Sequence, residues 1–393
     1  MERRNALRIW TIFLAIITFS LSLLGTFLVR SGILTSVHTF ASDPTRGLVI
    51  LSLLAVFIGG AFALFALRAG SLRQGGLFAP VSREGALVLN NLLLASATAA
   101  VLTGTLYPLL LDALTGQTIS VGAPFFDLTF GAIMAPLLVI LPFGPFLAWK
   151  RGDLVAVGQR LMFAAGTALF AAILVFALGG ASVSLAPLGL LLGFWVSFGA
   201  LAELVDRAKI GRVPLAQSMR RLFGLPRTAW STALAHFGIG VSVIGIVAAS
   251  AWEQELVTVM QPGQAKTLAG YTLRFDELDA VQGPNFLAER GTFSLVSSDG
   301  HTFSLHPERR VYEANRMPTT EASIATIGFS QFYIQLGEPG DAGQVVRAWH
   351  KPYVTLIWLG AVVMAGAGLL SLSYRRMRVG APRSAGERAA AAE

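Results

Sequence analysis

Long apolar runs dominate this sequence and limit how the chain can fold. Eight runs of about 20 mainly apolar residues are centred near residues 19, 55, 97, 136, 171, 191, 242 and 363. A helix needs about 20 such residues to cross the hydrocarbon core of a bilayer. The pattern therefore predicts a polytopic α-helical membrane protein with about eight transmembrane helices, in which the fifth and sixth are separated only around residues 179–184.

The composition agrees with a protein whose surroundings are mainly lipid. Hydrophobic residues make up 54% of the chain and charged residues 13%, about half the charged share of a soluble protein. The formal net charge of +8 comes from arginines and lysines in short segments between the apolar runs. Retention of positive charge beside spanning helices explains these segments, so we expect membrane lipid as a partner and no nucleic acid.

The basic segments also predict an orientation. They precede the first span, lie between the second and third, fourth and fifth, and sixth and seventh spans, and follow the eighth. With eight spans all five segments fall on one side, which the positive-inside rule makes cytoplasmic. We therefore expect a multi-pass protein with both termini in the cytoplasm and one large loop on the opposite, periplasmic side.

The large loop has the pattern of a β-rich domain. Residues 293–305 alternate between apolar and polar side chains on both sides of Asp299-Gly300, a dipeptide favoured in hairpin turns. Further strands are predicted at residues 271–275 and 332–336. The chain thus divides into the first transmembrane helix and an outer loop (1–46), helices two to seven (47–251), a periplasmic β-rich domain (252–350), the last helix (351–374) and a cytoplasmic tail (375–393).

The sequence contains no cysteine. A thiolate metal site, an iron–sulfur cluster and a disulfide are therefore excluded within this chain. Any thiol chemistry in which it takes part must use the thiols of a partner. The sequence also lacks the Walker A, GxSxG and HExxH motifs, so ATP-driven transport and a built-in hydrolytic set have no support.

His236 lies inside the seventh predicted span, in the stretch LAHFG at residues 234–238. It is about 12 Å along the helix from a predicted start near residue 228, where an ionisable group is costly to desolvate and usually faces a partner or a cavity. A neutral imidazole there could make an interhelical hydrogen bond or serve as an axial ligand of a haem iron. We favour the haem ligand, with Gly238 and Gly240 letting a flat macrocycle approach the backbone.

His38 follows the first span on the outer face, close to Arg30. Taken alone, it reads more readily as an ordinary loop histidine. Arg30 is unusual on a side that is otherwise poor in positive charge, and an arginine there could contact a haem propionate while the imidazole binds the iron. His38 and His236 could not share one iron, because they are placed on the outer surface and in the inner half of a bilayer about 30 Å thick.

The other three histidines suggest less chemistry. His301 and His306 fall in the strand and turn region of a solvated domain, where a structural role is expected. His350 lies in the stretch WHKP, where the chain returns to the membrane. Trp, Lys and His at such a boundary are ordinary interface anchors.

Several segments resemble the CcmF/NrfE family, the membrane haem lyases of bacterial cytochrome c maturation. The resemblance is carried by LSLLGTFLVRSGILTSVHTFASDPTR (21–46), NNLLL (90–94), GTLYP (104–108), VQGPNFLAER (281–290), YEANRMPTTE (312–321) and HKPY (350–353). The match extends over nearly the whole chain, and the segment around His38 is specific. The nitrite-reductase-associated paralogue NrfE is similar to the same segments, so both members of the family stay open.

The resemblance implies a function and an inner-membrane location. Family members receive haem from the haem chaperone CcmE and join its vinyl groups to the thiols of a Cys-x-x-Cys-His motif in apocytochrome c. His38 matches one of two outer-face ligands of this substrate haem, and His236 matches one ligand of a stably bound b-type haem. CcmH- and CcmI-type thiol and escort proteins are the further partners that the resemblance implies.

The resemblance also implies an N-terminal portion with a tryptophan-rich WWD motif, which this sequence does not contain. That portion carries the partner histidines of both haems in the family, so we expect it as a partner, either as a separate polypeptide or as the missing part of the same protein, and expect this chain alone to be inactive. Two alternatives stay open at this point. The chain could be a passive membrane transporter of haem, or an assembly scaffold whose β domain docks apocytochrome or its escorts.

Overall fold

The computed structural model describes residues 7–31, 44–71, 78–179, 184–313, 318–340 and 342–373. Within these residues, eight helices are long and apolar enough to cross a membrane, which confirms the predicted fold class. A ninth, short helix lies between two of them. The helices are α1 (Arg8–Arg30), α2 (Pro44–Arg68), α3 (Arg83–Thr115), α4 (Ala123–Ile140), α5 (Leu154–Leu178), α6 (Ala186–Ala208), α7 (Leu215–Phe223), α8 (Arg227–Ala251) and α9 (Thr355–Leu372).

The predicted separation of the fifth and sixth spans is confirmed. Helix α5 ends at Leu178 and α6 begins at Ala186 with a proline in its first turn, a position that tolerates proline because the amide there has no intrahelical partner.

Helix α3 begins with an N-cap, in which the hydroxyl of Ser82 accepts a hydrogen bond of 3.0 Å from the amide of Gly85. This N-cap satisfies one of the free donors of the first turn.

The chain forms two compact units, residues 1–159 and 160–393. In the first unit, α1 packs on α2, where the ring of Phe13 lies 6.3 Å from Phe62 and 6.0 Å from Phe65. Helices α3 and α4 form the other pair of this unit. Gly104 of α3 allows their contact, since a Cβ at this position would lie 2.5 Å from the ring of Phe125.

The second unit contains α6, α8 and α9 packed side by side, and the β-rich domain that is inserted between α8 and α9. All strand pairs in this domain are antiparallel. The strands are β1 (Gln254–Met260), β2 (Ala265–Leu268), β3 (Tyr271–Gln282), β4 (Phe286–Val296), β5 (Thr302–Leu305), β6 (Glu308–Tyr312), β7 (Pro318–Glu321), β8 (Ser323–Ile327), β9 (Ser330–Gly340) and β10 (Gly343–Lys351).

Two sheets form this domain and enclose one core. The first sheet has the order β1-β10-β9-β8, and the second has the order β2-β3-β4-β6-β7 with β5 beside β4. Both sheets contribute fully buried side chains, among which Phe275 and Phe293 stack with ring centroids 4.5 Å apart. The arrangement is a β-sandwich, in which side chains from the two inner faces form the core.

The hairpin predicted at Asp299-Gly300 is confirmed. β4 pairs with β5 from Val296↔Thr302 to Phe293↔Leu305. Gly300 has φ of 86°, a left-handed conformation that glycine adopts without the steric penalty of a side chain.

The sandwich is tied to the helices at both ends. The chain enters it from α8 through Trp252 and leaves it into α9, and Lys351 Nζ lies 3.2 Å from the carboxylate of Glu253. At the start of α9, the hydroxyl of Thr355 donates a hydrogen bond of 2.8 Å to the carbonyl of Phe329.

Candidate functional site

His236 is the tenth residue of α8 and lies about 13.5 Å along the axis from the first. Its side chain is partly buried. Of the five histidines in the sequence, it is the one that the structure places in a described membrane-spanning helix. A polar, ionisable group at this depth is expensive unless it serves a partner or a ligand.

The contact between α8 and α9 is built from small residues and serine hydroxyls. A Cβ on Gly238 would lie 2.6 Å from the carbonyl oxygen of Gly360, so the two backbones touch at this point. The hydroxyl of Ser231 donates to the carbonyl of Ala367 at 2.9 Å, and that of Ser242 donates to Ile357 at 3.0 Å. Close backbone approach and interhelical hydrogen bonds are the usual means of helix association in lipid.

The opposite side of α8 packs on α6 in the same way. A Cβ on Gly240 would lie 2.7 Å from the carbonyl oxygen of Gly193, and Ser197 also contacts this position. Farther along, a Cβ on Gly189 would lie 2.6 Å from the side chain of Val247. The four-residue spacing of Gly189, Gly193 and Ser197 is the sequence signal for this interface.

These contacts correct one expectation. Gly238 and Gly240 were predicted to leave room for a flat macrocycle, but their open sides are filled by α9 and α6. At about 100° per residue, His236 points about 40° away from Gly240 and about 160° away from Gly238. The imidazole therefore lies on the flank of the α6–α8 contact, and the glycines serve helix packing.

An ion pair lies near the level of His236 on α6. The buried carboxylate of Glu203 accepts hydrogen bonds of 3.0 and 2.7 Å from Arg207, one turn along the same helix. Counting from the contact of Ser197 with Gly240 at 1.5 Å per residue, Glu203 and His236 are about 3 Å apart along the helix axes. Charged groups in a span usually face the bundle interior and form pairs.

The donor set suits a haem better than a bare metal ion. Among the described residues, no group of three or more His, Cys, Asp or Glu side chains is placed to bind a metal. A bare transition metal needs about four protein ligands, whereas a haem iron takes only its axial ligands from the protein. A single imidazole on a spanning helix is therefore compatible with haem ligation.

The second predicted haem ligand, His38, lies outside the described residues. Arg30 is the last residue of α1 and its side chain is exposed. The structure thus places Arg30 at the helix end that leads into the segment of His38, and their predicted shared contact with a haem stays a prediction.

His301 and His306 lie on the surface of the β-sandwich. His301 is exposed at the β4–β5 hairpin, with Nε2 3.9 Å from the carboxylate of Asp299. His306 is exposed as well, and its backbone amide donates to the hydroxyl of Ser323 at 3.0 Å.

His350 differs from the interface anchor that the sequence suggested. Its ring lies 4.7 Å from that of Phe332, on the core side of β10 together with Val346 and Ala348. Its Nδ1 atom is buried and has no hydrogen-bond partner among the described residues. Burial lowers the pKa of His350 below its ordinary value, so the neutral imidazole packs as part of the sandwich.

A charged cluster on β4, β6 and β7 was not anticipated from the sequence. The carboxylate of Glu308, 6% exposed, accepts hydrogen bonds of 2.6 Å from both Arg290 and Arg310. Arg310 also lies 3.7 Å from Glu321 and 4.5 Å above the ring of Phe286. Burial of Glu308 opposes its ionisation, but the two arginines outweigh this effect and the pKa of the carboxyl is lowered.

Arg290 and Glu321 of this cluster lie in the two sandwich segments, 281–290 and 312–321, on which the family resemblance rests, whereas Glu308 and Arg310 lie between these segments. The sequence signal for this cluster was the high number of charged residues in β4 and β6. The cross-strand register of Arg290 with Glu308 was needed to find the pairing.

Comparison with known proteins identifies the family. A family profile described as "CcmF C-terminal beta-sandwich" matches residues 251–352, the sandwich just described. The chain is 57% identical, over 97% of its length, to the cytochrome c-type biogenesis protein CycK of Rhizobium meliloti. It is 35% identical, over 96% of its length, to the cytochrome c-type biogenesis protein CcmF of Escherichia coli. The chain belongs to the CcmF family.

The fold agrees with this family. A solved structure of "Cytochrome c Heme Lyase CcmF" superposes with a TM-score of 0.71 and 19% identity, covering 95% of this chain and 56% of that one. The chain also spans 57% of the CycK and CcmF relatives. It therefore corresponds to somewhat more than half the length of these members of the CcmF family.

Proposed function

We propose that this chain is a subunit of a membrane haem lyase in cytochrome c biogenesis, with its helices in the bacterial inner membrane. The observation that carries the proposal is the imidazole of His236 on a spanning helix, in a chain 57% identical to a cytochrome c-type biogenesis protein. The reaction is the addition of the S–H group of a cysteine across a haem vinyl group, which forms a thioether and releases nothing. The thiols come from the Cys-x-x-Cys-His motif of apocytochrome c, since this chain has no cysteine.

The orientation follows from the charges. Both termini and the basic segments lie in the cytoplasm, and the β-sandwich lies in the periplasm. Arg207, at the end of α6, and Arg227, at the start of α8, share one end of the second unit, and the sandwich is inserted at the opposite end of α8. This orientation puts His38 on the side where apocytochrome c and the haem chaperone CcmE act.

His38 and His236 serve two different haems. His38 holds the substrate haem by its iron while Arg30 contacts a propionate, which orients the vinyl groups toward the thiols. His236 would hold a resident b-type haem, which when bound would supply reversible one-electron chemistry. The described spanning helices contain no second histidine, so the second ligand of that haem would come from the WWD-bearing portion of the family, which this sequence does not include.

The sandwich is the docking element for protein partners. Its Glu308–Arg290–Arg310 cluster keeps β4, β6 and β7 in register, so that the strands present a fixed outer surface. Apocytochrome c and the CcmH- and CcmI-type proteins are the partners that this surface receives.

The test uses chromosomal variants of the tagged chain, purified from native membranes with the polypeptides bound to it. His236→Ala is expected to remove the b-type absorption spectrum of the complex, and the matched variant His301→Ala on the surface hairpin is expected to keep it. His38→Ala is expected to keep the b-type spectrum but abolish covalent haem staining of cytochrome c. A normal spectrum in His236→Ala contradicts the resident-haem role, and normal holocytochrome in His38→Ala favours a passive haem transporter.

A further inference from the structure

The short helix α7 connects two membrane spans and carries an uncompensated positive charge. Only six residues separate it from the end of α6 and three from the start of α8. From residue 207 to residue 252 the sequence contains no aspartate or glutamate, while it includes Arg207, Lys209, Arg212, Arg220, Arg221 and Arg227. Helix α7 is therefore held close to the membrane surface in a strongly basic segment.

Apolar side chains of α7 are exposed along one side. Leu215 is 69% exposed and Phe223 is 80% exposed, and at about 100° per residue they lie on the same side as Met219. Ser218 points elsewhere, because it is buried and its hydroxyl lies 3.4 Å from the carbonyl of Lys209 at the end of α6. One side of α7 thus rests on α6, and the neighbouring side presents large apolar groups.

Two arginines of this segment have no acidic partner in the part of the chain that the structure describes. Arg212 lies 3.2 Å from Asp206, and Arg227 donates to the carbonyl and hydroxyl oxygens of Ser373 at 3.3 and 3.1 Å. Arg220 and Arg221, in contrast, form no ion pair with any residue that the structure describes. Arg220 lies next to the exposed apolar side of α7, and Arg221 lies on the polar side.

We propose that α7 is an interfacial helix that binds anionic phospholipid through Arg220 and Arg221. Leu215 and Phe223 enter the acyl region, while the two guanidinium groups reach the phosphates above it. This arrangement is that of a basic amphipathic helix at a membrane surface, and arginine binds phosphate with several directed hydrogen bonds. The proposal does not depend on haem chemistry, because it uses neither His38 nor His236.

A bilayer fits this surface better than a soluble partner. The apolar side chains begin within a few residues of two spans, so lipid is already adjacent to them. The charge is of one sign over the whole segment, which matches the negative surface of a membrane containing anionic lipid. We therefore commit to a lipid headgroup as the source of the phosphate.

The first experiment measures lipid selectivity with the intact chain in nanodiscs. Spin-labelled phosphatidylglycerol and phosphatidylcholine are compared by electron paramagnetic resonance, which gives their relative association with the protein. We expect Arg220→Gln/Arg221→Gln to lower the preference for phosphatidylglycerol about tenfold. The charge-matched control Lys266→Gln/Arg347→Gln, on exposed strand positions of the sandwich, is expected to leave it unchanged. An unchanged preference in the α7 variant, or an equal fall in the control, overturns the proposal.

The second experiment measures where α7 lies and does not require loss of binding. The chain has no cysteine, so Phe223→Cys and Leu287→Cys each give a single site for a spin label. Leu287 is the control, since it is 58% exposed on the sandwich. We expect the label at residue 223 to be relaxed mainly by oxygen, as in lipid, and the label at residue 287 mainly by a water-soluble nickel chelate. Relaxation of both labels by the chelate shows α7 in water and overturns the proposal.

Discussion

Gly238 of α8 and Gly360 of α9 lie in direct backbone contact, with the carbonyl oxygen of Gly360 2.6 Å from where a Cβ on Gly238 would be. On the other side of α8, Gly240 has the same relation to Gly193 of α6. Helix α8 thus packs between α6 and α9 near the level of His236. The contacts of these glycines therefore set the position of the helix segment that carries the imidazole.

The first prediction concerns this packing. Gly360→Ala adds a methyl group where the backbone and the side chain of Ser242 leave no room, and overpacking of this kind costs about 1–3 kcal/mol. We expect the midpoint of thermal unfolding in detergent to fall by several degrees. Gly366→Ala on the same helix is the control, because nothing lies within 4 Å of its Cβ position. Equal midpoints for the two variants contradict the packing role.

The second prediction concerns the buried carboxylate of the sandwich. Glu308→Gln removes the negative charge that Arg290 and Arg310 share, and because both arginines are partly exposed we expect it to cost about 1.5–3 kcal/mol, the range for hydrogen bonds to charged groups. We expect faster amide exchange in the peptides of β4 and β6, measured by hydrogen–deuterium exchange and mass spectrometry. Glu338→Gln, at an exposed position of β9, is the matched control and should exchange as the unchanged chain does.

The same carboxylate gives the sandwich an acid dependence. Its pKa is lower in the folded state than its ordinary value of 4.5, because the two arginines outweigh the effect of burial. The stability that it contributes is present above pH 4.5 and is lost as the pH falls through the lower, folded-state pKa. The difference in exchange between the unchanged chain and Glu308→Gln should therefore shrink between pH 6 and pH 3. A constant difference over this range excludes the carboxylate as its source.

The third prediction concerns His350. Burial lowers its pKa below 6.5 in the folded state, so the unfolded chain binds a proton more readily as the pH falls below 6.5. Stability is therefore full above pH 6.5 and declines below it. We expect His350→Phe, which keeps an aromatic ring against Phe332, to remove this part of the decline in unfolding temperature between pH 8 and pH 5. His301→Gln, an exposed site, should leave the decline unaltered.

The fourth prediction concerns Arg30 and rests on the proposed function. If its guanidinium contacts a propionate of the substrate haem, Arg30→Gln should lower the yield of covalent cytochrome c about tenfold. This factor corresponds to the free energy of one hydrogen bond to a charged group. Arg30→Lys should recover part of the yield, since it keeps the charge without the paired donors. Arg68→Gln, at the exposed end of α2, is the control for lost charge. Similar yields of covalent cytochrome c from Arg30→Gln and Arg68→Gln would contradict a contact between Arg30 and the haem propionate.

The predicted site rests on residue types and their positions, because the bilayer restricts which residues are expected in a span. Histidine is rare enough here that His236 was found by its position in an apolar run. The prediction that Gly238 and Gly240 make room for a haem was wrong, because these glycines allow close packing of α9 and α6. From sequence alone, a glycine in a span is equally consistent with contact to a ligand and with contact to another helix. His350 was misread for a related reason, since its place before a membrane helix concealed that it faces the sandwich core.

The sequence by itself determined the eight spans, the β-rich domain and the Asp299-Gly300 hairpin, because apolar length, alternation and turn residues act locally along the chain. Only the tertiary structure decided that α8 lies between α6 and α9, and that Glu308 is buried between Arg290 and Arg310. Helix packing depends on which small residues face each other, and the charged cluster depends on the pairing of β4 with β6. Both are contacts between distant parts of the chain, which no local pattern specifies.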